Sequence, residues 1–315
     1  MSLYTRARPK ELVDVVGNEG VVSSLTQIIT DYIAEKDIPH SFLFQGPTGC
    51  GKTTLARILI RELGCDDMDI TELNAANTRG IDTIRQVIDR AGVPVLSGGN
   101  QAYIFDEAHK ITTDAQNAML KLLEDTPSKT FICVCTTNPN GLLKTIRNRC
   151  TTFELQRLRP SQLRQIIERA EKFSGMEILD NELMSDIITA VDGCPRAALV
   201  LREMVEGLAL EDAKEAVVQA TLDEKGLIDL ARLLTDLRIK QWDKWKRVSA
   251  ILEQMKDQEP ESMRRGLIGY FRTCLIKTRG LPDGMHFSAI LDELCGPPVY
   301  TAGELVNMIW KICAI

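Results

Sequence analysis

The stretch SFLFQGPTGCGKTTLARILIREL at residues 41–63 constrains the fold more than any other part of the chain. SFLFQ (41–45) reads as a buried strand, GPTGCGKT (46–53) fits G-x-x-x-x-G-K-[ST], and TLARILIREL continues as a helix. A glycine turn at this spacing can arise by chance, but its position between strand and helix argues for a phosphate cradle. Gly46, Gly49 and Gly51 let backbone N–H groups converge on phosphate oxygens, helped by the helix N-terminus. Pro47, Thr48, Cys50 and Thr54 complete the candidate loop. Lys52 supplies a point charge for β- and γ-phosphates, and Thr53 a hydroxyl for Mg²⁺. ATP with Mg²⁺ is therefore the expected ligand.

Two more short apolar runs, AYIFDEA (102–108) and TFICVCTTN (130–138), have the length and flanks of buried parallel strands. From Pro160 onward the periodicity is helical: Ser161 is a candidate cap for a helix with Leu163, Ile166, Ile167 and Ala170 on one face. A second helix carries Leu183, Ile187, Ile188 and Val191 and stops at Gly193; a third begins near Arg196. The 315 residues have room for two or three domains. The expected architecture is an α/β P-loop domain with a parallel sheet (1–156), a small helical domain (157–221) and a second helical domain (222–315).

The segment YIFDEAHK (103–110) sets Asp106 and Glu107 at the end of the second strand. Asp106 is the candidate Mg²⁺ ligand, and Glu107 the candidate group to orient and activate a water. A helix cap is the other use for acids there; the upstream P-loop argues against it. His109 reads as an incidental polar residue, since the sequence gives it no partner. DEAH also names a class of nucleic-acid helicase, but those carry a second motor domain with arginine-rich motifs, and this chain has helices instead.

The composition narrows the setting. The opening MSLYTRARPKEL has no apolar signal core, and no apolar run reaches membrane-spanning length. The nine cysteines form no C-x-x-C pair, so reduced thiols in a cytosol-like compartment are expected. A net charge of −6 argues against a general polyanion binder but permits a local basic stripe.

Beyond these motifs, RPKELVDVVGNEGV (8–21), LNAANTRGIDTIR (73–85), DEAHKITTDAQNAMLKLLEDTP (106–127), TTNPNGLLKTIRNRC (136–150) and GCPRAAL (193–199) stand in order. In this order and spacing the chain resembles the sliding-clamp loader ATPase subunits of the AAA+ superfamily. These include bacterial gamma/tau, replication factor C small subunits and phage versions. The resemblance covers residues 1 to about 220. It implies an AAA+ ATPase domain, a helical lid, and a collar that assembles a pentameric ring with other loader subunits. It implies that Arg8, Pro9, Val16 and Gly17 line the adenine pocket; the usual aromatic is replaced by Ala7, with Tyr4 as substitute. It implies that Thr137 reads the γ-phosphate, that Arg149 is an arginine finger for a neighbour's site, and that Arg196 contacts ATP in cis. Serine of the family's Ser-Arg-Cys motif is Asn148 here. Read alone, Arg149 is a solvated loop charge, and Arg196 sits unfavourably for the helix dipole.

The resemblance further implies that Arg79, Arg85 and Lys121 track the backbone of primer–template DNA, with a sliding clamp as protein partner and a cytoplasmic location. Cys65 stands alone where gamma/tau subunits carry a four-cysteine zinc module, which points to a compact subunit of phage or archaeal type. Trp242 and Trp245 share a helical face with Val248, Ile251, Leu252 and Met255 and are expected to pack the collar. The expected function is an ATP-driven clamp-loading motor; the alternatives are a non-hydrolysing scaffold subunit and a remodeller of another DNA-bound protein.

Overall fold

The computed structural model describes residues 2–76, 80–93, 98–221, 225–236, 238–255, 258–278 and 280–314. Helices α1 (Leu3–Arg6) and α2 (Glu19–Ile33) precede β1 (Ser41–Gln45) and α3 (Lys52–Glu62). Then come β2 (Cys65–Asn74), α4 (Ile81–Ala91), β3 (Asn100–Asp106), α5 (Thr113–Glu124), β4 (Thr130–Thr136), α6 (Lys144–Arg147) and β5 (Thr151–Glu154). The five strands form one sheet in the order β2-β3-β4-β1-β5, and every neighbouring pair is parallel. Parallel pairing needs crossovers, which helices supply.

The central strands are apolar on both faces because both are covered. Phe42, Phe44, Ile104, Phe131 and Cys133 pack with Leu25 of α2 and Leu55 and Leu59 of α3. Their sequence neighbours Leu43, Tyr103, Phe105, Ile132 and Val134 pack with Ile84 and Val87 of α4 and Met119 and Leu122 of α5. The alternation is the period of two of a strand, and each such large apolar side chain contributes about 1.5–3 kcal/mol on burial. Edge strand β2 differs: Asp66 and Asp67 are exposed, as suits an edge that must not recruit another strand. Register aligns the carboxyl ends, with Gln45 opposite Thr136 and Asn74 opposite Asp106. That edge carries the site.

Helix α7 (Pro160–Ser174) begins on a proline, whose fixed φ suits the first helical position. Arg159, not Ser161, is its cap residue; the Gln162 Oε1 accepts from the Arg159 N–H at 2.9 Å. The helices α8 (Asn181–Ala190), α9 (Pro195–Met204), α10 (Leu210–Thr221), α11 (Lys225–Thr235), α12 (Gln241–Gln254), α13 (Pro260–Lys277), α14 (Leu281–Leu294) and α15 (Ala302–Ala314) follow. The chain forms two compact units, Met1–Gly175 with Gly193–Val200, and Met176–Asp192 with Leu201–Ile315. The first unit holds α7 and the start of α9.

In the second unit, Leu230, Val248, Leu267, Phe271, Ile290 and Ile309 form the core. Beside it Glu261 accepts from Arg264 Nη2 and Nε at 2.7 and 2.8 Å, Arg265 Nε at 2.9 Å and the Val299 N–H at 2.9 Å. Burial would raise this carboxyl, but those donors outweigh it and hold the pKa at about 2. Trp245 meets Trp310 edge-on at 4.8 Å between ring centroids, whereas Trp242 is 74% exposed. The tryptophan stripe is thus split, since Trp242 lies outside the packed face. No described helix is long and apolar enough to cross a membrane.

Candidate functional site

β1 delivers the chain to Gly46, whose φ of 148° and closeness to β5 leave no room for a side chain; a Cβ there would lie 2.3 Å from the Leu155 carbonyl oxygen. At Gly49, φ 74°, a Cβ would lie 2.4 Å from Cys194 Sγ. The loop is therefore bare backbone on a cramped path, as a cradle for phosphate oxygens requires. Lys52, the first residue of α3, is buried and donates from Nζ to the carbonyls of Gly46 at 2.9 Å and Pro47 at 2.8 Å. A buried ammonium in the loop's own mouth is a cation suited to an incoming polyphosphate.

Thr53 Oγ1 donates to Asp106 Oδ2 at 3.2 Å, so α3 and β3 bring a hydroxyl and a carboxylate together. Two hard oxygens are the donor set for a divalent cation such as Mg²⁺. Glu107 follows in the left-handed region at φ 51°, its N–H donating to Asp106 Oδ1 at 3.0 Å. That turn sends its side chain to β4, where Oε2 accepts from Thr137 Oγ1 at 3.0 Å. His109 Nδ1 lies 3.1 Å from Thr136 Oγ1 and 3.4 Å from Glu107 Oε2. Burial lowers the His109 pKa despite the opposing pull of Glu107, which favours the neutral ring.

The loop opens into a cleft of about 510 Å³, within the range of small-molecule sites. Arg8, Pro9 and Val16 line one side, Ile166 and Phe173 of α7 another, and Arg196 of α9 the rim. Gly17 is not among the lining residues; a Cβ there would meet Leu158 Cδ2 at 2.5 Å. Arg196 lies over the Tyr4 ring, 4.8 Å from its centroid, with Nη2 3.5 Å from the hydroxyl. Hydrogen bonding to Thr5 and the charge of Arg196 lower the Tyr4 pKa. Burial, with the Arg57 charge second, lowers that of Arg8.

Residues 67–159 match the family described as "DNA polymerase III, delta subunit". DNA polymerase III subunit gamma/tau of Mycobacterium tuberculosis is 33% identical, over 66% of this chain and 39% of that one. DNA polymerase III subunit tau of Bacillus subtilis is 29% identical over 93% and 55%. The replication factor C small subunit of Natronomonas pharaonis is 32% identical over 70% and 64%. The chain is similar to clamp-loader subunits of the AAA+ superfamily. It spans less than two thirds of each of these three relatives. Thermotoga maritima RuvB shares the fold, with a TM-score of 0.62 at 20% identity over 88% of this chain and 94% of that one.

Arg149 follows α6 and is held by Glu124 of α5 and the Thr145 carbonyl, at 3.1 Å from the latter. It does not line the cleft. Arg85 of α4 is exposed, 3.7 Å from Asp82, and Lys121 is exposed on α5. Arg79 falls outside the described residues. Two contributors escape a reading of the sequence. His109 has partners after all, on the neighbouring strand. Gln116, buried in α5, donates to the carbonyls of Ile111 at 3.0 Å and Gly141 at 3.1 Å and accepts from the Leu143 N–H at 2.8 Å. It thereby ties down the loop after Thr137. A polar residue amid the apolar face of an amphipathic helix was the available signal.

Proposed function

We propose that this chain is an ATP-hydrolysing motor subunit of a clamp loader, which opens a sliding clamp and loads it onto primer–template DNA. One observation carries the motor reading: the Glu107 carboxylate is held by Thr137 directly beside the Thr53–Asp106 pair. A bound Mg²⁺ would take Thr53 and Asp106 as ligands and offset charge on the phosphates. Glu107 is then the base for a water, Thr137 couples its position to the γ-phosphate, and Lys52 neutralises the phosphate chain. Arg8, Pro9, Val16 and Phe173 line the space for the base, with Gly17 beside Val16. A non-hydrolysing scaffold subunit has no use for this full set, so the intact constellation favours the motor.

The ring of five, the neighbour-directed role of Arg149 and the DNA contacts of Arg79, Arg85 and Lys121 belong to the same proposal. Its support is the location of Arg149 away from its own cleft, on an exposed ion pair that a partner surface can replace. The test is ATP hydrolysis by the chain with candidate loader subunits, primer–template DNA and clamp, added singly and together. Hydrolysis is expected to rise with DNA and clamp combined and to fall steeply with salt, because phosphate contacts release counterions. Hydrolysis that ignores DNA and clamp at every salt concentration would remove the clamp-loading role; ATP binding with no hydrolysis in any mixture would leave the scaffold.

A further inference from the structure

Two cysteines converge on the nucleotide loop, and the proposed reaction uses neither thiol. Cys50 Sγ lies 3.9 Å from the Thr48 carbonyl oxygen, and Cys194 Sγ lies 3.6 Å from that same oxygen. The sulfurs are thus no farther apart than those two distances laid end to end. Cys194 also presses on the loop backbone next to Cys50, at Gly49, where a Cβ would come within 2.4 Å of its sulfur. Cys194 is half-buried and Cys50 buried. Each precedes a helix: Cys50 stands two residues before α3, and the Cys194 carbonyl accepts the first turn of α9 from the Ala198 N–H at 3.1 Å. Cys133 and Cys135, by contrast, are fully buried in β4, and burial pushes both thiols far up.

We propose that Cys50 and Cys194 form a reversible disulfide that shuts the nucleotide cradle. The oxidant is a peroxide. The Cys194 thiolate attacks one peroxide oxygen, the O–O bond breaks, and Cys194 becomes a sulfenic acid as the other oxygen leaves as water. Cys50 sulfur then attacks the Cys194 sulfur, the S–O bond breaks, and a second water departs with the Cys50 proton. In total two thiols lose two electrons and two protons, and one peroxide becomes two waters. A dithiol reductant reverses the bond by exchange.

A disulfide holds its sulfurs about 2.05 Å apart, so forming it ties the Thr48–Gly51 loop to the chain at Cys194. The backbone N–H groups there are the ones directed at phosphate, and Arg196 lies two residues beyond the other anchor. Neither can then move to meet a nucleotide.

This inference rests on the loop being a nucleotide site, and the experiment separates the two. The full chain is treated with hydrogen peroxide, then digested without reduction and mapped by mass. The expected product is a peptide pair linking Cys50 to Cys194 and lighter by two hydrogens. ATP affinity of the oxidised chain is expected to fall by about tenfold or more and to return with dithiothreitol, while reduced Cys194→Ser binds ATP like the parent and keeps its affinity under peroxide. Absence of the linked pair overturns the proposal. So does a linked protein with unchanged affinity, or equal loss of affinity in Cys194→Ser. If the reduced chain binds no ATP, the nucleotide reading fails, and with it the regulatory role, whatever the map shows for the thiol link.

Discussion

At the scale of single residues, the arrangement of the candidate site is legible where it is local. The glycines, Lys52 and Thr53 occupy one loop, and Asp106 and Glu107 are adjacent in sequence, so spacing alone carries their arrangement. What the sequence hid are partners that strand order brings together. Glu107 meets Thr137 and His109 meets Thr136 because β3 and β4 are parallel neighbours. No period along the chain encodes that neighbour relation. Thr137 comes from the family resemblance; His109 reads from the sequence as an incidental polar residue. The geometry predicts that Glu107→Gln lowers hydrolysis by about 10²–10⁴-fold, the usual worth of a positioned base, while ATP still binds. The amide retains an oxygen for Thr137, and Lys52, Thr53 and Asp106 are untouched. Equilibrium ATP binding and steady-state turnover on the same preparation check this; unchanged turnover would take Glu107 out of the reaction.

At the scale of elements, β1, β3 and β4 declared themselves as apolar runs because they are covered on both faces. β2 did not, since its exposed acids are what an edge strand needs and apolar periodicity is what it lacks. β5 is four residues long, too short to show a pattern. The charged cluster on α13 was equally silent, because its partners come from α14 and the segment before α15: Arg264 also donates to the carbonyls of Leu294 and Gly296. Its energetics are testable by pH. The Glu261 carboxyl sits at about 2 against an ordinary value of 4.5, so it binds its proton more weakly folded than unfolded. The stability it contributes is full above about pH 4.5 and is lost as pH falls toward 2. Glu261→Gln keeps one acceptor oxygen but removes the charge and sets an NH₂ against the buried Arg264, and is expected to cost about 3 kcal/mol at pH 7. Urea unfolding at pH 7 and at pH 3 should show the gap between parent and variant narrowing at the lower pH. A constant gap would mean that packing, not charge, is what the substitution removes.

At the scale of the whole molecule, the two arginines proposed to act on phosphate differ in where they sit. Arg196 lines the rim of its own cleft, and Arg149 pairs with Glu124 away from it. An arginine supplied across a subunit boundary raises phosphoryl-transfer rates by about 10³–10⁵, so activity depends on neighbours. Lys52→Ala removes the chain's own site and keeps Arg149; Arg149→Ala keeps the site and removes the finger. Each alone is expected to be inactive. Mixed, with subunits free to exchange, they form some boundaries with an intact site facing an intact arginine, and part of the activity returns. Lys52→Ala mixed with Arg196→Ala is expected to recover far less, since a contact made within one chain is not replaced by the next. Hydrolysis rates of the two mixtures, in the presence of clamp and DNA, decide the assignment. Equal recovery in both would contradict the division into cis and trans roles. Recovery in neither would mean that copies of this chain do not stand next to one another in the working ring.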